Sequence, residues 1–427
     1  MTSNGFLNVR KPAGLTSHHC VVKVRKLLKT RQVGHAGTLD PMATGVLTMA
    51  LGNATKFLQV MMLLCASVAD AAAAAFCWRT LPPSVLLTQW FLTTNRFPQY
   101  LATGKEYDGV IRFGVTTDSD DITGKVLSER PAPWLSQATI EATLQRFVWY
   151  IFWMRTGSPS RRPDQCSQAV AFVGNIEQVP PRISAIRKNG VRMYELARAN
   201  PVSAITSAWC TFEMCSDKDQ RMSRSTSQTV EVAPRRVHIS KIDVLELVSG
   251  PYPEARVHVE CGTGTYIRSI ARECGEALCI PSNEIDSSCQ LRNGSGDFCV
   301  GGTLAALERT RNGAFTLADS VGFEELEQLV QIDRVPLQTI ESALHHLPFI
   351  VLDERASRRW VRGGIVTITQ SNVAVESSSN APADDLVDGE AVRVYEGSAS
   401  RKAFVGVTRV KKELEFDHFT LRKRTFV

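Results

Sequence analysis

The twelve residues Gly34–Gly45, GHAGTLDPMATG, constrain this chain more than any other stretch. They set one acidic residue, Asp40, among glycines and small side chains, with no second carboxylate nearby. Pro41 follows it, with φ held by its ring and no N–H to donate, so the turn that opens there is stiff. Gly34, Gly37 and Gly45 admit backbone conformations and close approaches that a side chain would block. A lone carboxylate on a rigid, glycine-lined loop suits nucleophilic catalysis better than metal binding, which needs several ligands. The same residues also fit a plainer account, a tight turn whose Asp caps a helix.

The rest of the composition narrows the class without deciding it. A chain of 427 residues is long enough for two or three domains. Its formal charge of +6 suits a nucleic-acid partner but does not demand one. Local basic runs offer phosphate contacts: Lys23, Arg25, Lys26, Lys29 and Arg31, then Arg182, Arg187, Lys188, Arg192 and Arg198. Each run also fits a solvated face. The eleven cysteines follow no regular spacing and no signal peptide precedes them, so reduced thiols are expected rather than a disulfide framework. Cys210 and Cys215 lack the further pair that a zinc site needs. No metal, redox cofactor, dinucleotide fold or phosphate-binding P-loop is indicated.

The Asp40 loop resembles the signature of the TruB family of tRNA pseudouridine synthases, and further blocks follow in that family's order. GFLNVRKPAGLTS (Gly5 to Ser17) is similar to its opening strand and Lys-Pro motif. GKEYDGVIRFGVTTDSDDITG (Gly104 to Gly124) resembles its tyrosine motif. GNIEQVPPRISAIRKNGVRMYELAR (Gly174 to Arg198), GTGTYIRSIARECGEAL (Gly262 to Leu278) and LERTRNGAFTL (Leu307 to Leu317) complete the series.

The resemblance implies a fold and a chemistry. The expected fold is α+β: a catalytic domain, residues 1–330, with a central mixed, mostly antiparallel sheet flanked by helices. A small β-rich domain of PUA type, residues 348–427, follows it. The implied reaction breaks a uridine's N-glycosidic bond, turns the uracil while it is bound, and forms a C–C bond. The base must first be flipped out of the folded RNA. Asp40 is then the nucleophile, attacking the ribose C1′ or the uracil C6. Arg268, in GTYIRS, matches the arginine that pairs with it, and a guanidinium fork suits a carboxylate. Tyr107, in KEYDG, matches the tyrosine that lies against the base. Tyr266 and Leu307 match pocket-wall residues, and His35 a histidine that holds the flipped substrate loop. Lys11, Pro12 and Gly37 shape the site. Each of these side chains, taken singly, also fits an ordinary structural role.

The residues Met42-Ala43-Thr44-Gly45 and the block RFGVTTDSDD resemble the stand-alone bacterial type. That implies uridine 55 in the tRNA T-arm as substrate, with no guide RNA, no obligatory protein partner, a monomer, and no membrane. A guide-RNA-dependent synthase, or a catalytically silent tRNA-binding or folding factor, are the alternatives. The family match starts near the N-terminus, so a cytoplasmic location is expected, with an organelle signal left open if an exon is missing.

Four segments of other character interrupt the family-like blocks: 60–99, 149–173, 200–228 and 279–299. Together they span 115 residues and hold eight of the eleven cysteines and five of the seven tryptophans. None shows sustained periodicity with caps. They read as translated introns in the gene model or as inserted surface loops, and the sequence of the mature transcript decides between the two. Val60 to Phe76 is apolar enough to suggest a membrane span, but Asp70 and weakly hydrophobic alanines argue against it. Deleting 60–99, joining Gln59 to Tyr100, is expected to raise soluble yield and leave activity unchanged, since loop closure depends only logarithmically on length.

Short strands are expected at Phe6–Val9, Val110–Gly114 and Val257–Cys261. Helices are expected at Ser17–Leu28, behind a Ser cap, and at Tyr266–Leu278 with Ile267, Ile270, Ala271 and Cys274 on one face. Beyond residue 348, β-like runs flank the Ser- and Asp-rich stretch Ser371 to Asp388.

Overall fold

The computed structural model describes residues 4–58, 104–145, 173–184, 233–285, 298–345, 347–369, 391–398, 401–412 and 418–426, with the short pieces 187–188, 191–193, 289, 291 and 373–374. Segments 60–99 and 200–228, nearly all of 149–173, and the apolar run Val60 to Phe76 lie outside the described residues. Contacts within the chain gather it into two units, Met1–Gly104 with Thr310–Val427, and Lys105–Arg309.

In the first unit the strand Gly5–Lys11 runs antiparallel to Thr44–Leu51, with Lys11 opposite Gly45. Both strands are almost wholly buried. The short strand Val33–His35 pairs with the same partner, His35 opposite Met49. The helix Ser17–Leu27 buries Cys20, Val21 and Val24 at helical spacing. Its cap is Thr16, whose hydroxyl accepts from the His19 N–H, and not Ser17 as the sequence suggested. Ser17 is the first helical residue and its hydroxyl is taken up by the Asp40 loop.

The C-terminal part of this unit is a six-stranded sheet in the order Val366–Thr369, His418–Phe426, Arg401–Lys412, Ala391–Ser398, Phe349–Leu352, Val373–Ala374. Every pair is antiparallel except Phe349–Leu352 with Ala391–Ser398. Its core gathers Ile350, Leu352, Val366, Ile368, Val392, Val394, Val410 and Leu421 around Trp360, which the helix Glu354–Val361 carries inward. A second cluster joins this sheet to the strands near the N-terminus. Phe6, Val46, Ala50 and Phe57 pack with Phe315, Leu344, Ala391 and Val407, and Phe404 lies 6.5 Å from Phe57. The β-rich end therefore shares apolar core with the strand that leads out of the Asp40 loop.

The second unit is an antiparallel sheet in the order Lys105–Phe113, Glu254–Cys261, Arg235–Val248, Gly174–Gln178. Lys105–Phe113 alternates buried and half-buried residues, the pattern of a strand with one face in the core. Gly302–Asn312 lies on its other side, and a Cβ at Gly109 would meet the Ala306 carbonyl at 3.6 Å. The helix Ile267–Ala277 buries the expected face, with Ile270, Ala271 and Cys274 fully enclosed. Cys279 and Cys299, the ends of the fourth interrupting segment, pair through their backbones in a single antiparallel β-bridge, and Cys299 is buried.

Gly275 lets this helix come down on a neighbouring backbone. A Cβ there would stand 2.2 Å from both the Gly301 carbonyl carbon and the Gly302 nitrogen. Neither atom belongs to a movable side chain, so helix or strand must shift. Gly275→Ala is expected to destabilise the protein by about 3 kcal/mol, read as a lowered urea midpoint.

Candidate active site

The Asp40 loop is built from backbone bonds on either side of its carboxylate. The Ser17 hydroxyl accepts from the Leu39 N–H at 2.9 Å and donates to the Leu39 carbonyl at 3.1 Å. The Pro41 carbonyl accepts from the Gly14 N–H at 2.8 Å and from Lys11 Nζ at 3.1 Å. Lys11 Nζ also donates to the Ala43 carbonyl at 2.6 Å and to the Pro12 carbonyl at 3.0 Å. Lys11 has no exposed surface, and its ammonium reaches all three carbonyls. The Ala43 N–H closes a turn onto the Asp40 carbonyl at 3.1 Å. Gly37 and Gly45 have φ of 90° and 96°, in the left-handed region where an L side chain is strained. Farther along, the Asn312 amide donates to the Ala36 carbonyl and to the Thr48 hydroxyl, both at 3.0 Å.

Asp40 itself is half-buried, and a strand rather than a helix follows it. The plainer reading, a helix cap, is therefore excluded. Lys11, Pro12, Gly37 and Asp40 are brought together as one built loop, and His35 is the last residue of the strand that enters it. Ser17 and Asn312 were missed. Ser17 sits inside the quoted block GFLNVRKPAGLTS, but nothing in its spacing marks it as a loop anchor.

The second unit carries the other expected residues. Tyr107 is buried on Lys105–Phe113, opposite Val259. Leu307 is buried on Gly302–Asn312. Tyr266 stands at the N-terminus of Ile267–Ala277 without a side-chain cap. The buried Gln178 side chain holds its backbone instead, accepting from the Tyr266 N–H at 2.8 Å and donating to the Tyr266 carbonyl at 3.0 Å.

Arg268 is 4% exposed. Its guanidinium donates to the Ser119 carbonyl at 2.8 Å and to the Ile183 carbonyl at 2.9 Å, and lies 3.6 Å from the Asp121 carboxylate. Arg268 is therefore not a solvated arginine on a helix surface. One turn on, Arg272 pairs with Asp120 at 2.5 Å and with Glu273 at 3.0 Å. Burial works against the Arg272 charge, but Asp120, Glu276 and Glu273 outweigh it and hold its pKa above the usual arginine value.

Burial raises the Glu273 carboxyl to about 7, and Arg272 only partly offsets that. A carboxyl that binds its proton more tightly folded than unfolded stabilises fully below the ordinary value of 4.5 and loses that contribution as pH rises through about 7. Glu273→Gln is therefore expected to flatten the fall in stability between those values, by at most about 3 kcal/mol, in urea midpoints compared at pH 5 and pH 8.

Among the described residues, no group of three or more His, Cys, Asp or Glu is placed to hold a metal ion. Among them, too, no helix is long and apolar enough to cross a membrane.

Residues 25–65 and 161–216 match the model of the TruB family pseudouridylate synthase N-terminal domain. The tRNA pseudouridine synthase B of Microcystis aeruginosa is 33% identical over 373 residues, 87% of this chain and 88% of that relative. The chain belongs to the TruB family. The synthase of the same description from Synechocystis sp. is 34% identical over 360 residues, 84% of each chain. Two solved structures at lower identity share the fold of this chain. The archaeal box H/ACA sRNP Nop10–Cbf5 complex aligns with a TM-score of 0.51 at 17% identity, covering 100% of this chain and 87% of that one. A Cbf5–Nop10–Gar1 complex aligns with a TM-score of 0.53 at 18% identity, covering 99% and 85%. These likenesses agree with the α+β class and the β-rich C-terminal part expected of a TruB-family chain.

Proposed function

We propose that this chain converts uridine to pseudouridine in tRNA, at position 55 of the T-arm, acting alone and without a guide RNA. Asp40 is the nucleophile, Arg268 holds its negative charge, and Tyr107 faces the flipped base. Tyr266 and Leu307 wall the pocket, and His35 holds the displaced substrate loop. The observation that carries this reading is the Asp40 loop itself. A half-buried carboxylate sits between two residues pinned through their backbones, by Ser17 at Leu39 and by Gly14 and Lys11 at Pro41. Such fixing suits a group that must meet one carbon atom at one angle. The reaction is redox-neutral: a glycosidic C–N bond breaks and a C–C bond forms. A monomer, a cytoplasmic location, and a domain division at 1–330 and 348–427 belong to the same proposal.

Mapping the modified position tests it. The purified chain is incubated with an unmodified tRNA transcript and with one carrying cytidine at position 55, and pseudouridine is located by carbodiimide-dependent reverse-transcription stops. A stop at position 55 of the first transcript and none in the second is expected. Modification at another position sinks the T-arm assignment.

A further inference from the structure

The loop 118–121 beneath Arg268 contains an anomaly. Asp120 has φ of 61°, the left-handed region that is strained for most side chains and that aspartate enters more readily than most. The residues that contact Arg268 flank it on both sides: Ser119 through its carbonyl and Asp121 through its carboxylate. The Asp120 backbone is bonded to the Thr117 carbonyl at 3.4 Å and to the Leu304 N–H at 3.1 Å, and its carboxylate is held by Arg272, whose Nη1 lies 2.5 Å from its Oδ2. The other terminal nitrogen of Arg272 donates to the Val179 carbonyl at 2.8 Å. Arg268, four residues earlier on the same helix, donates to the Ile183 carbonyl at 2.9 Å. Two arginines on one helix face thus tie the same two segments together, and the Ser269 hydroxyl adds a bond to Val179 at 2.8 Å.

We propose that Arg272 is a positioning residue for Arg268: by holding Asp120 in its left-handed conformation it aims the Ser119 carbonyl and the Asp121 carboxylate at the Arg268 guanidinium. This rests on the reading that Arg268 serves the reaction. Without the Arg272 fork, the half-buried Asp120 carboxylate loses its main partner, and the backbone, left to its bonds with Thr117 and Leu304, shifts. The two groups that orient Arg268 turn with it, because they are the adjacent residues. A displacement on the order of 1 Å in such a group costs about 10²-fold in rate.

Glycine adopts positive φ without strain and carries no carboxylate, so Asp120→Gly removes both problems that loss of Arg272 creates. Single-turnover rates are measured with enzyme in excess over tRNA, well below each variant's melting temperature, together with tRNA affinity by filter binding. Arg272→Met is expected to slow pseudouridine formation by about 10²-fold with tRNA affinity unchanged. The double variant Arg272→Met/Asp120→Gly is expected to recover most of the rate. If Arg272→Met does not fold, Arg272→Lys, which keeps the charge but loses the fork, is measured the same way.

A wild-type rate in the folded single variant overturns the proposal, as does a double variant that stays as slow as the single one. Arg268→Lys, run in parallel, separates the two levels. If it is slow while the Arg272 variant is not, only the Arg272 proposal fails. If it keeps the wild-type rate, the reading of Arg268 fails and the Arg272 proposal with it.

Discussion

Replacing Asp40 by asparagine is expected to lower the single-turnover rate of pseudouridine formation by at least about 10⁴-fold while tRNA binding persists. The substitution keeps shape and removes the negative charge that the proposed nucleophile needs. The loop has good reason to survive it. The bonds that pin it run through the backbones of Leu39, Pro41 and Ala43, to Ser17, Gly14 and Lys11. Gly37 and Gly45 keep their left-handed conformations whatever stands at position 40. The measurement is pseudouridine per tRNA in nuclease digests, beside filter binding of the same tRNA. A residual rate within tenfold of wild type would remove Asp40 from the chemistry.

Lys11→Met is expected to be the most damaging change that leaves the reacting groups themselves in place. Methionine fills similar space but donates nothing to the carbonyls of Pro12, Pro41 and Ala43. Lys11 is fully enclosed, and the Ala43 bond is wholly buried, so water replaces these bonds poorly. Leaving such groups unsatisfied costs about 1–3 kcal/mol each. A loss of about 3 kcal/mol or more and a melting temperature lower by roughly 6–12 °C are expected, read by calorimetry. Because two of the three carbonyls belong to the Asp40 loop, the variant is also expected to lose kcat more than it gains in KM at temperatures where it stays folded. A variant as stable and as active as wild type would show that the loop holds itself.

The parts of the site that the sequence reveals are those whose residue types admit few other uses. Three glycines and a proline around one aspartate point to a built turn, and Lys-Pro beside a buried strand points to something that shapes it. The apolar face of Ile267–Ala277 is legible because Ile267, Ile270, Ala271 and Cys274 recur at helical spacing. The acidic run 118–121 is not legible in that way. Three aspartates in four residues read as solvated loop. Asp121 is nevertheless only 4% exposed, because arginines about 150 residues further on reach back to this loop, Arg272 across 152 residues and Arg268 across 149. Local pattern cannot carry an interaction of that span.

The same limit hides the packing of Phe57 against Phe404 and the close approach at Gly275, which looks like an ordinary helix glycine until Gly301 and Gly302 are seen beneath it. The helix carrying Trp360 and the last strand, His418–Phe426, were also missed. Each is short or charged, and each is stabilised by the sheet it joins rather than by its own pattern.

The central claim is that the chain as given breaks and remakes the bond between ribose and uracil, with Asp40 as nucleophile. Release of tritium from tRNA labelled at uracil C5 measures that event directly, since forming the new C–C bond expels the C5 hydrogen. One equivalent released per tRNA by the purified wild-type chain, and none by Asp40→Asn, is the predicted result. A folded wild-type chain that binds the same tRNA tightly and releases nothing would contradict the account and leave a silent tRNA-binding protein in its place.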